Sequence, residues 1–244
     1  MKNTASWQNK KYYFDPKKQA YAIHPDGVNP RSIYHQTQAI NHYARIIRAH
    51  ASGRLLDLGC GVVPYFDLYR DLVTENYCVD WENTFHQNPF IDQFADLNFP
   101  LPLADTQFDT VLLTDVLEHI PRPEPLMREI ARVLRPSGKL ILTVPFFYWL
   151  HEPPYDYYRY TEFALRKFCE EAGLTVVELE PYGGLPDVFF DLINKKWVSN
   201  PKTGRLYRGF CQLLNRTGYI RRWRETSKNS FPLGYCLAAE KKKV

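Results

Sequence analysis

The stretch Arg54-Leu55-Leu56-Asp57-Leu58-Gly59-Cys60-Gly61 limits most strongly what this chain can fold into. A short apolar run holds an acid near its end, and two glycines follow at alternate positions. Set between Gly53 and Gly59, the run is too short for a helix and reads as a buried strand over 54–58. Gly59 and Gly61 have no Cβ, so the backbone can turn sharply and a ligand can approach to contact distance. Pro64 suits the first turn of a helix, which the pattern continues over 64–73. Strand, glycine turn and helix form the first unit of a nucleotide-binding α/β sheet, with the ligand at the carboxyl end of the strand.

The details choose the ligand. A dinucleotide fingerprint wants a third glycine three residues after the second, and that position is Pro64. Asp57 would repel a pyrophosphate and favour a cation. S-adenosylmethionine carries a sulfonium and an ammonium and no phosphate. The acid-x-Gly-x-Gly turn, in a two-glycine version with Val63 where a third would fall, resembles the first motif of the class I S-adenosylmethionine-dependent methyltransferases.

Later segments extend the resemblance in order. Asn76–Trp81 reads as a second strand ending at Asp80, 23 residues after Asp57. An acid at that distance can accept both ribose hydroxyls of an adenosine, and Trp81 can flank the adenine. A third short strand over 91–95 brings Asp96 and Leu97 to the same edge, for the adenine amino group. Thr110–Thr114 is continuously apolar and β-branched, as in a strand buried on both faces. It leads to Asp115-Val116-Leu117-Glu118-His119, which resembles the family segment that faces the methionine end and the acceptor. A helix over 123–135, a Ser-Gly turn and a fifth strand over 139–145 follow.

The resemblance implies an α/β Rossmann-like fold. Its sheet is seven-stranded and mostly parallel, with helices on both faces, and the last strand is antiparallel, here over 231–240. A sixth strand over 174–180 precedes two helical patterns in 185–225, separated near 199–201. The expected organisation is an N-terminal arm (1–38), a cofactor-binding core (39–184), a helical insertion (185–230), then the closing strand with a basic tail (231–244). The arm reads as irregular, with at most one short helix, and a helix should run over 38–50.

The resemblance also assigns a site. The cofactor, S-adenosylmethionine, falls to Asp57, Gly59, Cys60, Gly61, Asp80, Trp81, Asp96, Leu97, Thr114 and Asp115. Candidate catalytic groups are His119 and His151, each beside an acid, together with Asp156 and Arg159. The last three lie in an aromatic stretch over 146–160, which resembles a His…Pro-x-Asp-x-x-Arg-Tyr-Thr segment found in a branch of these enzymes. Asp156 and Arg159 could equally pair with each other to hold the loop. Asp115, Glu118 and His119 resemble a group that some quinone-precursor O-methyltransferases use to hold a divalent metal. The same pentapeptide is common in metal-free relatives, and no metal is assigned.

Charge is uneven. Residues 195–244 hold thirteen Lys/Arg against two acids, whereas the rest carries 18 Lys/Arg and 25 Asp/Glu. The expected partner is a small-molecule methyl acceptor, placed between the 146–160 loop and the basic insertion and carrying an acidic group. The basic end also allows peripheral contact with a membrane. No Asn-Pro-Pro-aromatic motif follows the fourth strand, which disfavours nucleic acid. No run approaches the ~20 apolar residues of a membrane span. Five scattered cysteines without a Cys-x-x-Cys pair read as reduced thiols of a cytoplasmic protein. The competing readings are a cofactor-binding module without catalysis and a nicotinamide-dependent oxidoreductase.

Overall fold

The computed structural model describes residues 1–24, 26–82, 88–198 and 200–243. Its frame is a seven-stranded sheet built from β3 (Gly53–Leu58), β4 (Val73–Asp80), β5 (Gln93–Phe94), β6 (Phe108–Thr114), β7 (Leu134–Pro145), β8 (Leu174–Tyr182) and β9 (Gly234–Lys241), in the order β5-β4-β3-β6-β7-β9-β8. The first five pair with one another in parallel, and β9 runs antiparallel between β7 and β8. The chain steps from β3 outward through β4 and β5, then returns to the other side of β3 as β6. That reversal opens a crevice beyond the carboxyl ends of β3 and β6, the place where such sheets bind ligands.

Strand periodicity explains the two-sided burial. In the central strands, adjacent residues are both inaccessible to solvent but belong to different cores: Leu55 and Leu56, Leu112 and Leu113, Ile141 and Leu142. One core is covered by α1 (Ile33–His50) through Ile40, Tyr43, Ile46 and Ile47. The other is covered by α3 (Pro123–Val133) and α4 (Glu162–Glu171), through Leu126, Met127, Ile130, Leu165 and Cys169. Thr161 caps α4 by accepting from the Ala164 N–H.

Several expectations change. The helix expected over 64–73 shrinks to the single turn α2 (Phe66–Tyr69), because β4 already pairs from Val73, opposite Gly53. The arm is not irregular: β1 (Tyr12–Asp15) and β2 (Ala20–Ile23) form an antiparallel hairpin. The hairpin joins α1 through Asn41, whose side-chain amide exchanges two hydrogen bonds with the Tyr21 backbone. Helix α1 starts at Ile33 rather than 38. Among its described residues the insertion holds three helices, not two: α5 (Leu185–Trp197), α6 (Pro201–Asn215) and α7 (Gly218–Ser227). Thr217 caps α7 and creates the extra break. Asp187, fully buried, accepts two bonds from Arg224 and one from the Tyr34 hydroxyl, and so ties α5 to α7 and α1.

Asp57, read from sequence as a charge facing the ligand, does not reach the crevice. It is 3% exposed, takes a 2.9 Å hydrogen bond from the Tyr69 hydroxyl, and is pushed up to about 7, chiefly by burial. A carboxyl raised in this way contributes stability that is complete below its ordinary value of 3.8 and is lost as pH rises through about 7. Asp57→Asn should therefore lose less melting temperature than the wild-type protein between those limits. Parallel pH profiles for the two proteins would contradict this account of Asp57.

Candidate functional site

A cavity of about 720 Å³ occupies the crevice at the carboxyl edge of β3, β4, β6 and β7. Its floor is the turn after β3. Gly59 has φ +66°, and a Cβ there would lie 2.6 Å from Val116 Cγ2, so only glycine fits against the segment after β6. Gly61 has φ +50° and open space where a Cβ would stand, so no side chain separates it from the cavity that it lines. Cys60 between them is buried, and its thiol is pushed up by hydrogen bonding to Cys78 and by burial, so it is no nucleophile.

Asp80, the last residue of β4, locks this turn. Its Oδ2 accepts the Gly61 N–H and its Oδ1 the Trp81 N–H, both at 2.8 Å. A carboxylate offers about four lone-pair sites, so both oxygens retain acceptor capacity toward the cavity. Burial raises the Asp80 carboxyl against the opposing pull of these two N–H groups. Trp81 stands edge-on to Tyr155, with ring centroids 5.2 Å apart. Asp96 and Leu97 line the same end, with Asp96 Oδ1 bonded to the Asn98 backbone and side chain.

Thr114 and Asp115 line the wall beneath β6. Asp115 adopts φ +53°, and its Oδ1 accepts from the Tyr43 hydroxyl at 2.6 Å and the Thr143 hydroxyl at 3.1 Å. Those bonds hold it apart from Glu118, and the trio suggested by sequence does not converge. A different trio does. Ligand atoms of Glu118, His119 and His151 all lie within 4.8 Å of one another. Glu118 Oε1 is 3.9 Å from the Nε2 of each histidine. The Glu118 carboxyl is inaccessible to solvent, neither oxygen has a hydrogen-bond partner, and burial then Asp115 raise it well above the ordinary range. Two imidazoles and one carboxylate can relay a proton, and the same donor set is able to take a divalent ion.

The His119 imidazole is oriented through its other nitrogen, whereas His151 Nδ1 has no hydrogen-bond partner. His119 Nδ1 is 2.9 Å from the Tyr155 carbonyl, so it carries the proton and Nε2 is the acceptor. His151 Nδ1 lies 3.2 Å from Asp156 Oδ2, and burial followed by the nearby His119 lowers its pKa. Asp156 and Arg159 do not line the cavity. Arg159 binds both Asp156 oxygens, at 2.6 and 2.8 Å, and also donates to the carbonyls of Tyr148, Trp149 and Tyr158. Their catalytic assignment is replaced by a positioning role: the pair pins the loop that carries His151. The guanidinium makes every bond that it can within its own loop.

The arm supplies residues that no local pattern revealed. Lys11, Asn29, Ser32 and His35 line the cavity together with Tyr148 of the loop. Lys11 Nζ donates to the Tyr65 hydroxyl at 2.8 Å, and burial lowers its pKa to about 8 against the opposing charge of Asp115. Among the described residues, none of 185–225 lines the cavity. The expectation that the basic insertion faces the acceptor is therefore corrected. Its helices pack behind the loop, where Lys195, paired with Asp191, stands 4.1 Å from the Tyr148 ring centre.

A family profile described as a methyltransferase domain matches residues 34–179. The chain belongs to the methyltransferase domain family. The cofactor of this family is S-adenosylmethionine. Over 114 residues the chain is 32% identical to a demethylmenaquinone methyltransferase of Halalkalibacterium halodurans, covering 34% of this chain and 46% of that one. Over 106 residues it is 31% identical to a ubiquinone biosynthesis O-methyltransferase of Xanthomonas euvesicatoria, covering 38% and 43%. The chain thus spans less than half the length of these relatives. Among solved structures, a SAM-dependent methyltransferase from Archaeoglobus fulgidus aligns with TM-score 0.53 and 20% identity over 82% of this chain and 93% of that one. The cyclase SpnF aligns with TM-score 0.54 and 18% identity over 98% and 88%. At these identities the likeness is one of fold.

The loop tie makes a test. Arg159→Ala would leave the nearly buried Asp156 carboxylate without its cation, a loss of about 2–4 kcal/mol. Melting temperature should fall and the 146–160 loop should become protease-sensitive, whereas a wild-type melting curve would show that the tie contributes little.

Proposed function

We propose that this methyltransferase-family protein moves the methyl group of S-adenosylmethionine to a hydroxyl of a small acceptor bound against the 146–160 loop and the N-terminal arm. The observation that carries the reading is the cavity itself. One continuous space runs from the Gly61 turn, Asp80 and Asp96 to His119, His151 and Lys11. The residues at its first end fit the cofactor: a glycine with no side chain, a carboxylate with acceptor sites to spare for ribose hydroxyls, and an acidic lining for a ligand with sulfonium and ammonium centres. When bound, the cofactor supplies an already electrophilic methyl group, so the protein's main task is alignment.

The acceptor end has aromatic walls in Tyr65, Tyr148 and Tyr155 and one cation, Lys11. That combination favours a flat ring carrying an acidic group. The demethylmenaquinone and ubiquinone-biosynthesis names of the two relatives are in keeping with a ring acceptor. His119 or His151 takes the hydroxyl proton at Nε2. Burial holds His151 neutral and ready to accept it near pH 7. The imidazolium so formed draws Glu118 toward its carboxylate form across 3.9 Å. Lys11 orients the acceptor through its acidic group.

Two measurements check this reading. Asp80→Ala should weaken S-adenosylmethionine binding about tenfold to a hundredfold, the worth of a charged hydrogen bond, while Asp80→Asn should lose less. Unchanged affinity in a folded Asp80→Ala protein would remove Asp80 from the site. Of His119→Ala and His151→Ala, the one lacking the base should lose about 10²–10⁴ in kcat with cofactor affinity intact. Wild-type turnover in both would exclude a histidine base.

A further inference from the structure

Helix α6 is apolar on the side that a surface helix normally gives to water. Gly204 and Cys211 are buried against the body, while Leu206, Phe210 and Leu213 are 76%, 57% and 63% exposed. Their spacing of four and then three residues aligns them as one stripe. The neighbouring helices add exposed aromatic surface in Trp197 of α5, at 69%, and Tyr219 of α7, at 76%.

The charge around this stripe has one sign. No Asp or Glu occurs from Val198 to Arg224. Lys202 lies four residues before Leu206 and Arg216 three residues after Leu213, so cations close both ends of the stripe. Arg205, Arg221 and Arg222 are also exposed, and none of these five cations pairs with an acid among the described residues. An apolar stripe with cations at its borders and aromatic rings beside it is the pattern of a helix lying in the plane of an anionic bilayer. Apolar side chains enter the acyl boundary, Lys and Arg reach the headgroups, and Trp and Tyr sit at the interface.

We propose that α6, with the adjoining ends of α5 and α7, docks this protein on an anionic phospholipid surface. A second copy of the chain is the poorer occupant, because a two-fold contact would set five unpaired cations against the same five. A nucleic acid would match the charge but leaves the Leu206, Phe210, Leu213 stripe unexplained. The inference rests on this surface alone and is independent of the methyl-transfer reading.

The test is flotation of the full chain with vesicles of phosphatidylcholine alone or with about 30 mol% phosphatidylglycerol. The wild-type protein should float with the anionic vesicles and not with the neutral ones, and added salt should weaken the binding. The triple variant Leu206→Ser, Phe210→Ser, Leu213→Ser changes exposed side chains only. It should bind anionic vesicles at least about tenfold less, since three apolar side chains no longer enter the acyl boundary. Its melting temperature and its affinity for S-adenosylmethionine should stay at the wild-type values. A second variant, Arg205→Gln, Arg216→Gln, Arg222→Gln, should lose the preference for anionic lipid. No flotation of the wild-type protein at low salt would overturn the proposal. So would undiminished binding by the triple Ser variant, which would mark a general polyanion patch, or a wild-type dimer in sedimentation that the Ser variant makes monomeric.

Discussion

One carboxylate organises the ligand edge of this fold. Asp80 accepts the Gly61 and Trp81 N–H groups, both at 2.8 Å, and so joins the tip of β4 to the turn that follows β3. Charge-assisted bonds of this kind are about twice as strong as neutral ones. Here they hold a glycine turn with positive φ, in which Gly59 is forced by the approach of Val116. Without that clamp the backbone of the turn would not be presented at a fixed place. The rest of the cavity is arranged around it, with Thr114 and Asp115 on the next strand and the aromatic loop above.

The central sheet was legible from sequence because its signals are local. Short apolar runs flanked by acids and glycines mark β3, β4 and β6, and their buried neighbours alternate between two cores as a period of two requires. The closing strand, placed between β7 and β8, came from family resemblance and not from any pattern within 231–240. The strand expected over 91–95 shortens to β5, where only Gln93 and Phe94 pair, with Val79 and Asp80 of β4. The hairpin of the arm was missed even though Tyr12-Tyr13-Phe14 and Ala20-Tyr21-Ala22-Ile23 flank a Pro16–Gln19 turn. The arm's Tyr, Lys, Pro and Asn content carries little periodicity, so it reads as irregular.

The site divides in the same way. Residues at strand tips could be named from their order along the chain. Contacts between distant segments could not. Glu118 sits between His119 and His151 only because the 146–160 loop folds back onto the segment after β6, where the Tyr157 N–H and the Tyr160 hydroxyl donate to the Glu118 and Leu117 carbonyls, while Arg159 and Asp156 hold the loop's own shape. Lys11 reaches the cavity from a hairpin more than a hundred residues away from either histidine. The basic charge of the insertion, visible as composition, says nothing about what it faces, and among the described residues none of 185–225 lines the cavity. The neighbouring cyclase shows that this fold can carry a name other than methyltransferase, so the chemistry is argued from the site and not from the sheet.

The most direct test of the central claim is calorimetric titration of the full chain with S-adenosylhomocysteine, with NAD as the comparison. The expected result is one saturable site for S-adenosylhomocysteine and no heat with NAD. Saturable NAD binding without a response to S-adenosylhomocysteine would contradict the assignment of the Gly61 turn, Asp80 and Asp96 to an adenosyl-sulfonium ligand.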